Sequence, residues 1–434
     1  MGKHRLGLVE ATALFIGAVL GPGVMVLPAL AAKAAGPASI LAWAILLAFS
    51  VPVAVTFAAL GARYPDGGGV ATFVNRAFGP RLAAAVGWWF YCAVPVGVLA
   101  GALVGGEYVA AALGADSTAA LWIGTAILAA AFVANYVGLR LSGRVQLAMV
   151  GVLVVLLLVT VIVAAPASRT VNFTPFAPHG WAAIGAAATV LFYAFSGWEA
   201  ASHLSAEFRD PRRHLPLVTG LTLGIVSVLY LSLTVTTIGV LGGAAATTPV
   251  PLSLLLETAY GPAGRTITAV AAVFLSFIAV NTYIAGGARL GAALGRDGAL
   301  PQALAAGGTA GDVPRRSLTV QMILCAVSIL LTVVFTVDLD SLMRLTSACL
   351  AAVSCAGMVA ATRLLPRGGV LWYGAITGVA FTALVLAFCG MLVLIPVALG
   401  VAAFISGAAS ARVRAAGPPR SEVTSSVRVG GPDA

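Results

Sequence analysis

The amino-acid sequence predicts an all-α integral membrane protein of about twelve transmembrane helices. Three observations carry this reading. The 434-residue chain is 60% hydrophobic and only 9% charged, with a mean hydropathy of +1.04, whereas a soluble domain carries about 25% charged residues. The apolar residues gather in a succession of runs close to the bilayer-crossing length of about 20 residues. The basic residues sit in the short connections between those runs, and mainly in alternate connections.

The spans fall near residues 8–33, 38–62, 81–112, 119–139, 144–165, 180–206, 216–241, 263–290, 317–337, 341–362, 370–388 and 390–409. Each must close its backbone hydrogen bonds internally, because lipid offers no partner. The last two share one apolar run, divided only by Cys389-Gly390. With a cytoplasmic N-terminus, only Lys33, Arg169, Arg265 and Arg344 of the 24 Lys and Arg fall outside. The other 20 lie inside, and so does the C-terminus, which is the positive-inside pattern. The loop from Gly291 to Arg316 is expected to be partly irregular. The stretch 411–434, rich in Pro, Gly, Ser and Arg, is expected to be a disordered cytoplasmic tail.

Several function classes are excluded by composition. A net charge of +10 in scattered short loops, with no basic stripe or arm, argues against nucleic-acid binding. The five cysteines (Cys92, Cys325, Cys349, Cys355 and Cys389) lie in or beside apolar spans without C-x-x-C or histidine spacing, so they are small packing residues and no metal site is expected. Gly67-Gly68-Gly69 is not followed by G-K-[ST], so a nucleotide loop is not expected; a tight turn is. No cofactor is called for. The first apolar stretch is too long for a signal-peptide core and lacks a small-residue cleavage site, so it is expected to remain as the first span.

Two spans carry interruptions. The first reads G-A-V-L-G-P-G-V from Gly17 to Val24, where Pro22 removes a donor and its flanking glycines accept non-helical angles. The second reads F-Y-A-F-S-G-W-E from Phe192 to Glu199, with Ser196-Gly197 mid-span. Either alone is compatible with a simple kink. Their occurrence in spans 1 and 6, with long spans 3 and 8 at a similar offset, suggests two inverted five-helix repeats: 1–165 and 180–362, followed by two further helices over 370–410. Broken helices at matching positions of inverted repeats place a transporter's substrate site near the midplane.

The chain also resembles the amino acid–polyamine–organocation (APC) superfamily of permeases. The resemblance rests on G-P-G-V-M-V-L-P-A from Gly21, R-Y-P-D-G-G-G-V-A-T-F-V-N-R-A-F-G-P from Arg63, F-Y-A-F-S-G-W-E, A-E-F-R-D-P-R-R-H-L-P from Ala206 and N-T-Y-I-A-G-G-A-R-L from Asn281, all in the family's order. W-F-Y-C-A-V-P-V-G from Trp89 and S-H-L-S-A-E-F from Ser202 resemble in particular the bacterial exporters of L-methionine and branched-chain amino acids. The resemblance implies an amino-acid substrate held by Gly17, Gly21, Pro22, Gly23 and Val24 of span 1 and by Phe192, Tyr193, Ala194, Phe195, Ser196 and Gly197 of span 6. The carboxylate would face the first break and the ammonium the carbonyls of the second, with Tyr193 closing over the substrate. The chain departs from the family pattern twice. Pro22 stands where Ser or Thr is frequent, leaving Gly23 and Val24 as the amides for a carboxylate. Span 5 around Leu153 lacks the lysine that replaces a sodium ion in some members.

Among other polar groups, Glu199 is an intramembrane carboxylate and a candidate for proton-linked gating. His203, one helical turn on, could relay a proton, although packing with a hydrogen bond is the plainer role. Glu107 near the outer end of span 3 is a weaker coupling candidate, and Glu10 is an interfacial helix-start charge. Ser276 and Asn281 either line the cavity or satisfy local backbone. The expected function is secondary active transport of neutral, apolar amino acids across a bacterial plasma membrane by alternating access, with export as the expected direction. A proton-coupled importer or exchanger of other small amino acids or amines is the nearest alternative. A membrane-embedded transferase would need an acidic metal cluster, which D-L-D at Asp338–Asp340 does not supply, and a channel would need a continuous pore.

Overall fold

The computed structural model describes residues 8–64, 69–138, 143–196, 211–307 and 312–415. Nine helices among them are long and apolar enough to cross a membrane, and two shorter apolar helical stretches, Ala183–Phe195 and Gly390–Ser406, accompany them. With the short first helix, these account for the twelve expected spans. Span 1 consists of α1 (Leu8–Leu20), a 3₁₀ turn (Pro22–Met25) and α2 (Leu27–Ala35). There follow α3 (Ser39–Arg63), a short α4 (Val70–Phe78), α5 (Pro80–Leu113), α6 (Ser117–Tyr136) and α7 (Gly143–Ala164). Then come α8 (Ala183–Leu191), which tightens into a 3₁₀ segment (Phe192–Ser196), and α9 (Pro211–Leu241), α10 (Pro251–Tyr260) and α11 (Pro262–Asp297). The chain finishes with α12 (Arg315–Val334), α13 (Leu339–Leu364), α14 (Val370–Phe388) and α15 (Leu394–Ala415).

Two boundaries differ from expectation. Helix α11 continues to Asp297, because Ala, Leu and Gly-Arg residues after 290 sustain helical turns until Gly298 stops them in a left-handed conformation (φ 79°). Helix α15 runs to Ala415, so 411–415 are helical where a disordered tail was expected; the remainder of that tail lies outside the described residues, as do Gly67-Gly68.

Helix α5 is the hub, packing against α11, α6, α13 and α15, while α9 packs on α3 and α1. Glycines permit the close crossings. A Cβ on Gly106 would fall 2.1 Å from the carbonyl oxygen of Ala120, so α5 and α6 meet backbone to backbone. Pro95 within α5 has no amide hydrogen and so deprives the Tyr91 carbonyl of its usual partner. The buried Gln321 of α12 fills that place, donating from Nε2 to the Tyr91 oxygen at 3.1 Å.

At the start of α13 the Asp338 carboxylate accepts the Ser341 amide at 3.0 Å and pairs with Lys33 at 3.6 Å. Burial pushes this carboxyl upward, but the Ser341 amide and Lys33 outweigh it and hold it below the ordinary carboxylate range. A depressed folded value contributes stability that is complete above the unfolded value, about 3.9, and is lost as pH falls through the folded value.

Two outcomes follow from this packing. Gly106→Ala should lower the thermal midpoint of the purified protein in detergent, by an overpacking cost of about 1–3 kcal/mol. Asp338→Asn keeps a side-chain cap but loses the charge that faces Lys33 and the helix N-terminus, so it should be less stable than wild type at pH 7 by about 0.3–1 kcal/mol. The gap should close below pH 4; melting curves across pH would show a constant gap if the charge contributes nothing.

Candidate functional site

The site begins with the failure of the first span to continue as a helix. Gly21 adopts φ 38°, a conformation open to glycine, and Pro22 follows without an amide hydrogen. Helix α1 therefore ends at Leu20 with carbonyls that have no partner inside the helix, and the Gly23 amide, at the start of the short 3₁₀ turn, has none inside that turn. Tyr230 of α9 reaches the open end of α1, donating to the carbonyl of Val19 at 3.2 Å and lying 3.5 Å from that of Leu20. Its ring stacks on Trp43 at 4.2 Å between centroids. On the far side of the turn, buried Tyr108 of α5 donates to the Met25 carbonyl at 2.8 Å and accepts the Leu252 amide of α10 at 3.1 Å. Backbone set free by the break is thus held by tyrosines from two other helices.

The second interruption faces the first. Helix α8 loses its α-helical pitch at Phe192, ahead of the expected Ser196-Gly197. Tyr193 in the 3₁₀ segment spans the gap, donating to the Gly97 carbonyl of α5 at 2.8 Å. Its approach requires glycine opposite: a Cβ on Gly23 would lie 3.1 Å from the Tyr193 ring, and one on Gly101 would lie 3.2 Å from Pro22 and 3.5 Å from the Tyr193 hydroxyl.

Between the two breaks lies a cavity of about 50 Å³ open to water centres. Gly21, Pro22 and Gly23 form one wall, Tyr193 and Ala194 another, and α5, α11 and α13 complete it. Among the described residues no charged side chain lines it, and the polar side chains are Tyr193, Tyr283 and Thr346. Thr346 donates its hydroxyl to the Leu342 carbonyl at 2.9 Å, and its methyl group is the atom that a Cβ on Gly97 would meet at 3.0 Å. A larger cleft of about 480 Å³ lies between α7 and α11. It is bordered by outward-facing Val152, Val270 and Phe274 and has the chemistry of a lipid-filled groove.

Of the sequence-predicted residues, Gly21, Pro22, Gly23, Tyr193 and Ala194 meet at this cavity. Val24 is buried in the same turn without lining it. Gly17 is instead a contact point for α7, since a Cβ there would meet Val150 at 2.7 Å. Phe192 and Phe195 turn into the core, near Phe381 and Trp43 respectively. Ser276 is buried against Gly105, and Asn281 accepts from the Asn135 side chain of α6 at 2.7 Å; neither lines the cavity, which α11 reaches through Ala279, Val280 and Tyr283. Glu107 is half-buried on α5 away from the cavity. Ser196 closes the 3₁₀ segment, and Gly197, Glu199 and His203 lie outside the described residues. The sequence reading missed Tyr108, Tyr230, Tyr283 and Thr346. The first three carried a signal, each being a hydroxylated ring within an apolar span, where a hydroxyl needs a partner.

A bundle of membrane-spanning helices enclosing a small cavity where two interrupted helices meet defines a carrier of a small solute. Residues 6–408 match the amino acid permease family, within the APC superfamily, and the chain belongs to it. It is 31% identical to an uncharacterized amino acid permease, YecA, of Bacillus subtilis over 93% of this chain and 95% of that one. It is likewise 31% identical to the L-methionine/branched-chain amino acid exporter YjeH of Escherichia coli, over 78% of this chain and 81% of the relative. The branched-chain amino acid permease BcaP of B. subtilis is 29% identical over 70% of this chain and 69% of its own length. The protein is a multi-pass membrane transporter of amino acids and not an enzyme.

Tyr108→Phe should leave the Met25 carbonyl and the Leu252 amide unpaired in a dry interior. At about 1–3 kcal/mol for each orphaned group, the thermal midpoint in detergent should drop by several degrees, and an unchanged midpoint would show that water replaces the hydroxyl.

Proposed function

We propose that this transporter carries neutral amino acids with apolar side chains, and that net movement is outward across a bacterial plasma membrane. The single observation that carries the substrate class is the apolar cavity lining, which among the described residues includes no charged side chain. A zwitterion placed there has its carboxylate met by the amides of Gly23 and Val24 and its ammonium by carbonyls of the 3₁₀ segment Phe192–Ser196, as partial charges at broken helix ends allow. A charged side chain would find no counterion within the lining, and its desolvation would be uncompensated. The methyl of Thr346, with Val94, Val98 and Leu350, offers an apolar seat. Export is supported by the similarity to the methionine and branched-chain exporter.

The two interrupted helices belong, in this reading, to inverted repeats over 1–165 and 180–362, with 370–410 outside them and both termini cytoplasmic. Transport proceeds by alternating access, with Tyr193 as the ring that closes on the substrate and Glu199 as the group that takes up the coupling proton, assisted by His203. Glu107, placed away from the cavity, has no part in it.

Cells preloaded with labelled methionine or leucine should lose label faster when the protein is expressed, and Tyr193→Ala should slow that loss about tenfold, the equivalent of 1.4 kcal/mol. Accelerated uptake in place of loss would reverse the direction. Movement of arginine or lysine but of no neutral amino acid would overturn the substrate class. Glu199→Gln should abolish the pH dependence of efflux; a retained dependence would remove Glu199 from the coupling.

A further inference from the structure

A second site lies at the end of the bundle that carries most of the basic residues, away from the cavity. Arg63 closes α3, Arg76 sits in the last turn of α4 and Arg363 in the last turn of α13, all three exposed. They form one patch. Arg63 and Arg76 both lie over the ring of Tyr64, at 5.6 and 4.5 Å from its centroid. Arg363 lies over Phe78, two residues beyond Arg76, at 4.3 Å. Arg63 closes the circuit by donating to the carbonyl of Leu364, the neighbour of Arg363, at 3.2 Å.

None of the three ion pairs among the described residues involves these arginines. Three guanidinium groups therefore share a small area with aromatic faces, and no described carboxylate neutralises them. An arginine stacked on a ring is weakly hydrated and keeps the edge of its planar fork free, which suits bidentate capture of a phosphate. The position sets the source of that phosphate. The patch lies at the ends of two membrane-spanning helices, α3 and α13. It also includes the polar edge of α4, whose Val70, Phe73 and Val74 are buried while Asn75 and Arg76 are exposed. Aromatic residues flanking apolar spans mark headgroup depth.

We propose that Arg63, Arg76 and Arg363 form a binding site for the phosphate of an anionic phospholipid headgroup, which ties α4 to the ends of α3 and α13. The site is independent of the transported solute.

The test is thermal unfolding of the purified full-length protein in a neutral detergent, titrated with phosphatidylglycerol, phosphatidylcholine or inorganic phosphate. Phosphatidylglycerol should raise the midpoint and the other two should not. In the variant carrying both Arg76→Gln and Arg363→Gln, about tenfold more phosphatidylglycerol should be needed for the same rise, from the loss of charge-assisted hydrogen bonds. Arg169→Gln, an exposed arginine elsewhere on the chain, should respond as wild type does. If the double variant is not recovered folded, Arg76→Gln alone should show a weakened response. An undiminished response in the arginine variants, or an equal rise with phosphatidylcholine, would overturn the proposal. An equal rise with inorganic phosphate would assign the patch to a free anion and would also overturn it.

Discussion

Backbone amides and carbonyls released by a helix break must find partners in a medium that offers none, and this constraint organises the centre of the molecule. Each release has an identifiable answer. The carbonyl of Val19 at the end of α1 goes to Tyr230, that of Met25 to Tyr108, and that of Tyr91, freed by Pro95, to Gln321. The tyrosines are suited to the task because the ring adds packing surface while the hydroxyl extends past it to the backbone. What these side chains leave open is equally informative. The amide of Gly23 has no partner within its turn, and the Gly23 position lies on the cavity. A donor left over from the first break thus stands where a small solute in the cavity can reach it.

Helix α5 makes this arrangement geometrically possible. Gly97, Gly101 and Gly105 recur every fourth residue and so share a face. Along that face they admit, in turn, the methyl of Thr346, the Pro22–Tyr193 contact and the Ser276 hydroxyl. Gly106 lies roughly a quarter-turn away and admits the backbone of α6. A helix carrying side chains at these positions would hold its neighbours apart, and Tyr193 could not reach the Gly97 carbonyl. The abundance of glycine in the sequence is therefore tied to particular close approaches, and α5 needs it most because it contacts both the cavity and six neighbouring helices.

Much of the fold was legible in the sequence because the bilayer imposes it. Runs such as 81–112 and 341–362 can only be helices in lipid, and their observed limits, Pro80–Leu113 and Leu339–Leu364, lie within a few residues. The breaks were legible for the same reason: Gly21-Pro22-Gly23 cannot sustain a helix, so the local chemistry announces the interruption. Direction around the helix axis was less legible. The family resemblance singles out Tyr193 and groups Phe192 and Phe195 with it at the substrate, yet of the three only Tyr193 meets the cavity, in a segment that has tightened to 3₁₀ pitch. Asn281 was ambiguous because its partner Asn135 is 146 residues away. Thr346 carried no signal at all, since its role depends on Gly97 lying opposite.

One segment of each interrupted helix, α2 and α8, is tied to the start of α13, but by bonds of different strength. Lys33, at the end of α2, reaches Asp338 at 3.6 Å with both side chains more than half exposed. An ion pair of that kind contributes about 0–1 kcal/mol. Arg344 is about four-fifths buried and is bonded at once to Asp340, to the Ala186 carbonyl and to the Thr189 hydroxyl, the last two on α8. Hydrogen bonds from a charged donor are worth about 1.5–3 kcal/mol each when burial excludes water. Separating α8 from α13 therefore costs several times more in polar contacts than separating α2 from it. The first break also carries a glycine joint, with Gly21 at positive φ followed by a single 3₁₀ turn. The tie of α2 to α13 is therefore the weaker of the two, and the polar contacts hold α8 and α13 together.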